Sequence, residues 1–327
     1  MKQLIGFLYR HTPPGLIRSA PDIWPLRVLL TFLLNGKCRQ YGIEVAFLPG
    51  AFQIRKGNHA LRVKPVNWIY GPTLAKEFDN FFNCVMPRQE GDLEVVDYSR
   101  DAVQKFRLSG LEFEVSGFPE EEKVIVDYFK WHRPQPGEVV FDLGANCGLS
   151  VYYLSQCVGP EGKVYAFEPD PINYAVLLRN IERHKMTNVV ALQQAISGTS
   201  GKLEFYSEGT IGSTLANKSS HPPIGTVEVV EVLSLADACA RYGMPGFIKV
   251  DIEGAEMEAI GGSQAFLREH AIQFALDTSH IVDGQLTAGP IERLFRECGY
   301  EAMSSDETGS MTTWARKLAP GAPAAAV

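Results

Sequence analysis

EVVFDLGANCGLS, residues Glu138 to Ser150, is the stretch on which the reading of this chain turns. An apolar run (Val139, Val140, Phe141) ends at Asp142, and a turn follows, Gly144-Ala145-Asn146-Cys147-Gly148. The pattern beyond it predicts a helix over Cys147–Val158. A backbone that closes on a ligand needs glycine where a Cβ would stand in the way. Strand-to-helix crossings at the carboxyl edge of an open α/β sheet are also where nucleotides bind. Glu168 lies twenty residues past Gly148, at the end of a second predicted strand, Lys163–Phe167. An acid there is placed to hydrogen-bond a ribose diol. A dinucleotide cradle would read G-x-G-x-x-G. The pattern here is D-x-G-x-N-x-G, which suits a ligand with a ribose and no pyrophosphate. Alone, the same letters also fit an ordinary strand–turn–helix corner with an acid after it.

Length and composition narrow the field. The chain has 327 residues, enough for one large domain or two ordinary ones. Its net charge of −7 is the wrong sign for a nucleic-acid surface. The six cysteines (Cys38, Cys84, Cys147, Cys157, Cys239, Cys298) form no C-x-x-C and no zinc spacing with histidine. Scattered thiols of this kind predict a reducing, cytoplasmic setting.

Residues 1–115 read as an α+β accessory region. Leu26–Leu34 is strongly apolar but far shorter than the roughly 20 residues of a membrane span. Arg10, Arg18, Arg27, Lys37 and Arg39 surround it. That combination suits a membrane surface. A helix docked on the protein's own body, or on a second subunit of a homo-oligomer, is the commoner fate of such a run. Short strands are predicted at Ile43–Phe47, Phe52–Ile54, Leu61–Val63 and Leu93–Asp97, with one helix over Thr73–Asn83. A hairpin is expected to join Phe106–Leu108 to Leu111–Val115 across Ser109-Gly110.

Residues 116–317 alternate strand and helix, which predicts a parallel sheet covered on both faces. Pro119 and Glu120–Glu122 open the first helix. Strands are expected at 139–142, 163–167, 189–192, 247–251 and 272–277. Helices are expected at 172–185, 235–242 and 290–298, and an antiparallel pair at Leu203–Tyr206 and Val227–Val232. The last strands, Tyr300–Ser304 and Met311–Ala315, form a hairpin, whereas a dinucleotide-binding dehydrogenase ends its sheet on a parallel strand. Residues 318–327 are low-complexity and expected to be disordered.

A second unusual stretch is IKVDIEGAE, Ile248 to Glu256. It ends a buried strand in charge at the sheet edge where open α/β folds hold ligands. Lys249 and Asp251 point to one face, since strand side chains repeat every second residue. Five motifs in order, VVFDLGANCGLS, VYAFEPDPINYAVLLRNI, the Ala195-Ile196-Ser197-Gly198 turn, IGSTLA and FIKVDIEGAEMEAIGG, resemble the FkbM family of S-adenosylmethionine (SAM)-dependent methyltransferases. The resemblance covers roughly residues 95–285. It implies a Rossmann-like class I methyltransferase sheet with a C-terminal antiparallel hairpin. It also implies methyl transfer to a hydroxyl of a sugar, polyketide-like or other polyhydroxylated metabolite. The family pattern has serine where Thr214 stands, and glutamate near the histidine where Asp277-Thr278-Ser279-His280 stands.

By the same resemblance, Asp142, Gly144, Asn146 and Gly148 surround the methionine tail of SAM. Glu168 holds the ribose hydroxyls, and Ala195 and Ile196 line the adenine, with Gln194 beside them. The acceptor chemistry has four candidates: Asp251, Glu253, His280 and Lys249. A hydroxyl acceptor gains from a base, while neighbouring acids favour the charged form of Lys249 and so an ion-pair or substrate-contact role. Asp251, Glu253 and Glu256 also offer oxygens of the kind Mg²⁺ takes. Two rivals remain at this point, an NAD-linked oxidoreductase and a catalytically silent methyltransferase-like scaffold. The missing third glycine weighs against the first, and the intact motif with Glu168 against the second.

Overall fold

In the computed structural model the described residues are 18–210, 213–215, 226–282, 284–307 and 309–317. Residues 1–17, most of residues 211–225 and the low-complexity tail 318–327 lie outside them. The chain divides into two compact units, the first reaching Glu121 and the second beginning at Glu122, with Glu208 to Thr210 joining the first.

The first unit begins with a helix, Trp24–Cys38. Five strands follow: β1 Glu44–Leu48, β2 Ala51–Lys56, β3 His59–Val63, β4 Arg88–Glu90 and β5 Leu93–Tyr98, in the order β1-β2-β3-β5-β4. The single helix expected over Thr73–Asn83 is two, Gly71–Lys76 and Phe78–Asn83. Glu77 leaves the helical region between them (φ −97°, ψ 22°), and Phe78 and Phe82 stack in the core with ring centroids 5.5 Å apart. The hairpin is also displaced from its expected position. Its strands are β6 Ala102–Lys105 and β7 Glu112–Val115, and the buried Phe106 starts the connection, its N–H donating to the Leu111 carbonyl at 2.7 Å.

The second unit carries the sheet expected from the alternation. β8 Val139–Leu143, β9 Lys163–Phe167 and β10 Val189–Leu192 run parallel. β11 Gln194–Ser197, β12 Gly201–Ser207, β13 Thr214–Leu215 and β14 Thr226–Ser234 form a separate four-stranded sheet, ordered β11-β14-β12-β13. Ala195, Ile196 and Ser197, read from sequence as a turn, are therefore strand residues. They pair parallel with β14. The chain returns to the main sheet with β15 Phe247–Val250 and β16 Gln273–Asp277. A short hairpin, β17 Ile281–Val282 with β18 Gln285–Leu286, precedes the final pair, β19 Glu301–Ser305 and β20 Thr312–Arg316.

The main sheet runs β10-β9-β8-β15-β16-β20-β19, with β20 inserted antiparallel between β16 and β19. This is the closing antiparallel arrangement that the family resemblance implied. Both faces are covered, which is why its central strands read as continuous apolar runs. Phe141, Phe167, Ile248, Val250 and Phe274 face the helices Leu235–Tyr242 and Ala288–Glu297. Val140, Val164, Ala166, Phe247 and Trp314 face the helices Leu149–Val158 and Pro171–Arg183 on the other side. Two short helices, Glu256–Gly262 and Gln264–Glu269, carry the chain from β15 to β16.

Candidate active site

The carboxyl ends of β9, β8 and β15 stand side by side, and the predicted site residues gather there. Asp142, near the end of β8, is fully buried. Its Oδ2 accepts the Ser150 hydroxyl at 2.6 Å. The register sets Lys249 of β15 directly opposite Asp142, so Nζ lies 3.2 Å from Asp142 Oδ1. The same ammonium donates to the Gly144 carbonyl at 2.9 Å, sits 4.0 Å from Asp251 and lies over the Tyr128 ring. With its side chain 1% exposed, Lys249 is a buried tie between two strand ends. It has no free face for an acceptor.

Gly144 is required by its protein neighbours. Its φ is +80°, and a Cβ would lie 1.7 Å from the Asp251 carbonyl oxygen. Gly148 (φ +89°) would push a Cβ to 2.5 Å from Leu177. Between them Asn146 adopts φ 48°, a left-handed conformation that asparagine tolerates. This turn exposes backbone donors to Glu168. The Asn146 N–H donates to Glu168 Oε2 at 2.7 Å, and the Asp170 N–H donates to Oε1 at 3.0 Å. Burial, with help from Asp170 nearby, pushes the Glu168 carboxyl up to about 8 against the pull of those two N–H groups and Lys249. Each oxygen keeps acceptor capacity after these bonds, because a carboxyl group offers about four lone-pair directions. These free acceptor positions therefore fit the hydroxyls of a ribose diol. A cationic ligand would offset the charge that burial disfavours.

Ala195 and Ile196 point to opposite faces of β11. Ala195 packs with Phe205, Val232 and Ala255, whereas Ile196 joins Phe141 and Phe167 in the main core. Gln194 is fixed at both ends, donating to Glu231 at 2.7 Å and accepting from the Tyr242 hydroxyl at 2.8 Å.

The other candidates meet past β15. Asp251, Glu253 and His280 each offer an atom within 4.8 Å of the others. His280 arrives from beyond β16. Its Nε2 lies 3.3 Å from Glu253, and its Nδ1 lies 3.2 Å from Glu256. Burial, the largest single influence on the ring, favours the neutral form. Glu253 and Glu256 together outweigh it and hold His280 well above its ordinary value, as an imidazolium. Burial likewise pushes Glu256 up, but His280 and backbone donors prevail, and its carboxyl stays below the usual range. Glu256 Oε1 also accepts the N–H groups of Ile252 (3.0 Å) and Gly254 (3.2 Å), so this fully buried side chain shapes the loop it follows. Sequence reading gave Glu256 no part beyond a share in a cation site.

Glu253 is the strained member of this group. Its φ is +53° although it carries a full side chain, a conformation that costs about 1–2 kcal/mol outside glycine. The Thr214 hydroxyl holds it there, donating to the Glu253 carbonyl at 2.8 Å. Ser213 donates to Asp170 at 2.6 Å. The Ser213-Thr214 pair thus links the loop after Glu168 to the loop bearing Glu253.

Residues 142–302 match the family described as Methyltransferase FkbM domain. The chain is 28% identical to the 31-O-demethyl-FK506 methyltransferase FkbM of Streptomyces tacrolimicus, across 53% of this chain and 76% of that protein. It is 32% identical to methyltransferase sdnD of Sordaria araneosa, across 38% of this chain and 59% of that one. It is 29% identical to the hexuronic acid methyltransferase AglP of Haloferax volcanii, across 38% of this chain and 49% of that one.

Proposed function

We propose that this chain, which belongs to the FkbM family of SAM-dependent methyltransferases through residues 142–302, methylates a hydroxyl oxygen of a sugar, polyketide-like or other polyhydroxylated metabolite. One relative is named for 31-O-demethyl-FK506 and another for hexuronic acid, and both names fit an oxygen-bearing acceptor. The observation that carries the reading is Glu253, a strained carboxylate held beside Asp251 and His280 at the edge of the sheet. Strained backbone persists where the surroundings over-determine it, commonly at functional sites.

SAM supplies a methyl group already activated as a sulfonium, so alignment does much of the work. Glu168 would accept from the ribose hydroxyls of bound SAM, and Asp142, Gly144, Asn146 and Gly148 would shape the turn that receives its amino-acid tail. Ala195 and the backbone of Ile196 would flank the adenine, since the Ile196 side chain is committed to the core. With SAM bound, Glu253, with Asp251 beside it, would accept the hydrogen bond of the acceptor hydroxyl and take its proton as the O–C bond forms and the sulfonium S–C bond breaks, leaving the neutral thioether. His280, paired with two carboxylates, is a positioning residue that keeps Glu253 aimed. Lys249 ties β8 to β15. In this scheme an imidazolium, rather than Mg²⁺, balances Glu253 and Glu256, so transfer persists after chelation with EDTA.

Glu253→Gly tests the reading. It relieves the left-handed strain and deletes the carboxylate together. The expected result is SAM affinity unchanged by calorimetry and loss of methyl transfer from labelled SAM to a panel of sugars and polyhydroxylated acceptors. A variant that transfers methyl at the wild-type rate would remove Glu253 from the chemistry.

A further inference from the structure

The helix Trp24–Cys38 is turned the opposite way from an ordinary surface helix. Its inner side is anchored to the first unit by a few contacts. Leu34 and Cys38 are buried. Asn35 pairs with the β1 backbone as another strand would, accepting the Val45 N–H at 2.9 Å and donating to the Val45 carbonyl at 3.0 Å. An amphipathic helix normally sets polar residues on the opposite side. Here that side carries Trp24, Val28, Leu29 and Phe32, with Trp24 67% and Phe32 76% exposed. At 100° per residue these four fall within an arc of about 140°, with Leu34 on the far side of the helix. Large apolar residues gathered on one exposed face, unlike single ones, mark an interaction site.

The charge around this face identifies its partner. Residues 18–43 hold four bases (Arg18, Arg27, Lys37, Arg39) and one acid (Asp22), a local charge of +3 in a chain of net −7. The helix itself contains no acidic residue. At 15 residues it is about 22 Å long, short of the roughly 30 Å of a bilayer core. No helix among the described residues is long and apolar enough to cross a membrane. Trp, Phe and Leu on one side with bases at the flanks is the composition of a helix lying in a lipid–water interface. Basic residues there gain from anionic headgroups.

We propose that the helix Trp24–Cys38 docks this protein peripherally on anionic lipid, with Trp24, Val28, Leu29 and Phe32 entering the acyl boundary and the flanking bases contacting headgroups. The bilayer thereby covers the one face of the helix that the fold leaves apolar and open.

The test is co-sedimentation of the full chain with vesicles of phosphatidylcholine plus phosphatidylglycerol, and with vesicles of phosphatidylcholine alone. The triple variant Val28→Ser/Leu29→Ser/Phe32→Ser alters exposed positions only, so its melting temperature and SAM affinity are expected to match wild type. Wild type is expected to sediment with the anionic vesicles and to stay in solution with the neutral ones, and salt is expected to release it. The triple variant should lose at least about tenfold in partitioning, the effect of 1.4 kcal/mol. Trp24 emission should shift to the blue on anionic vesicles, a shift absent from Trp24→Phe. Three results would each overturn the proposal: wild type that ignores anionic vesicles, a triple variant that partitions as wild type does, or a lipid-free wild-type dimer that the triple variant splits. The last would assign the face to a second copy of the chain.

Discussion

Replacing Glu168 by glutamine removes a carboxyl that the fold holds largely protonated near neutral pH. Burial pushes this group from an ordinary 4.5 up to about 8. An acid shifted in that direction steadies the fold below its unfolded value and loses that contribution as pH climbs through its folded value. The affected window is therefore pH 4.5 to about 8. At 1.36 kcal/mol per pH unit, the group costs the empty fold about 1 kcal/mol near pH 5 and nearly 5 kcal/mol near pH 9, a swing of about 4 kcal/mol. Glu168→Gln does not titrate. Thermal unfolding of wild type and variant, each followed from about pH 5 to about pH 9, should therefore diverge, with the ligand-free wild type falling faster on the alkaline side. A constant offset of about 1 kcal/mol is also expected, because the amide nitrogen cannot accept from Asn146 or Asp170. The cofactor adds a second signature. A cation with ribose donors favours the ionised carboxyl, so SAM binding at neutral pH should expel a proton. Calorimetry in buffers of different ionisation enthalpy reads this directly, and the proton should vanish in Glu168→Gln. If the two proteins lose stability in parallel across the range and binding releases no proton, the burial argument for Glu168 is wrong.

Two further substitutions separate structural from chemical roles. Gly144→Ala must place a methyl 1.7 Å from the Asp251 carbonyl at φ +80°, whereas Gly137→Ala at φ +87° meets open space. The second should cost only the left-handed penalty of about 1–2 kcal/mol, and denaturant unfolding should show the first costing clearly more. Lys249→Met strands the buried Asp142 carboxylate, which should cost about 3–5 kcal/mol and weaken SAM binding along with stability. A stable Lys249→Met protein that binds SAM but transfers no methyl would return Lys249 to the list of proton acceptors.

Much of the second unit was legible because local rules and tertiary structure agree there. β9 and β10 and the helix Leu235–Tyr242 fall where periodicity and turn residues put them. Buried parallel strands are apolar throughout, and glycine or proline closes their helices. The readings that failed involve residues whose local pattern is ambiguous. Glu77 sits in a helical pattern and breaks it. Phe106 looks like a strand residue and is instead buried at the start of a loop. Ala195 to Ser197 looks like a turn because its partner strand, β14, lies more than thirty residues further on.

By itself, the sequence determined the alternation of strands and helices, the closing antiparallel hairpin, the acid after the second strand and the charged end of the fourth. Each is written in consecutive residues. Tertiary structure alone decided what those charges do. The register of β15 against β8 makes Lys249 the partner of Asp142. The fold brings His280 between Glu253 and Glu256 from 27 and 24 residues away. The left-handed turn at Glu253 depends on a hydroxyl from another loop. Partners so distant in the chain meet only once the sheet has formed, because proximity in space, not order in sequence, sets the charge state of a buried group.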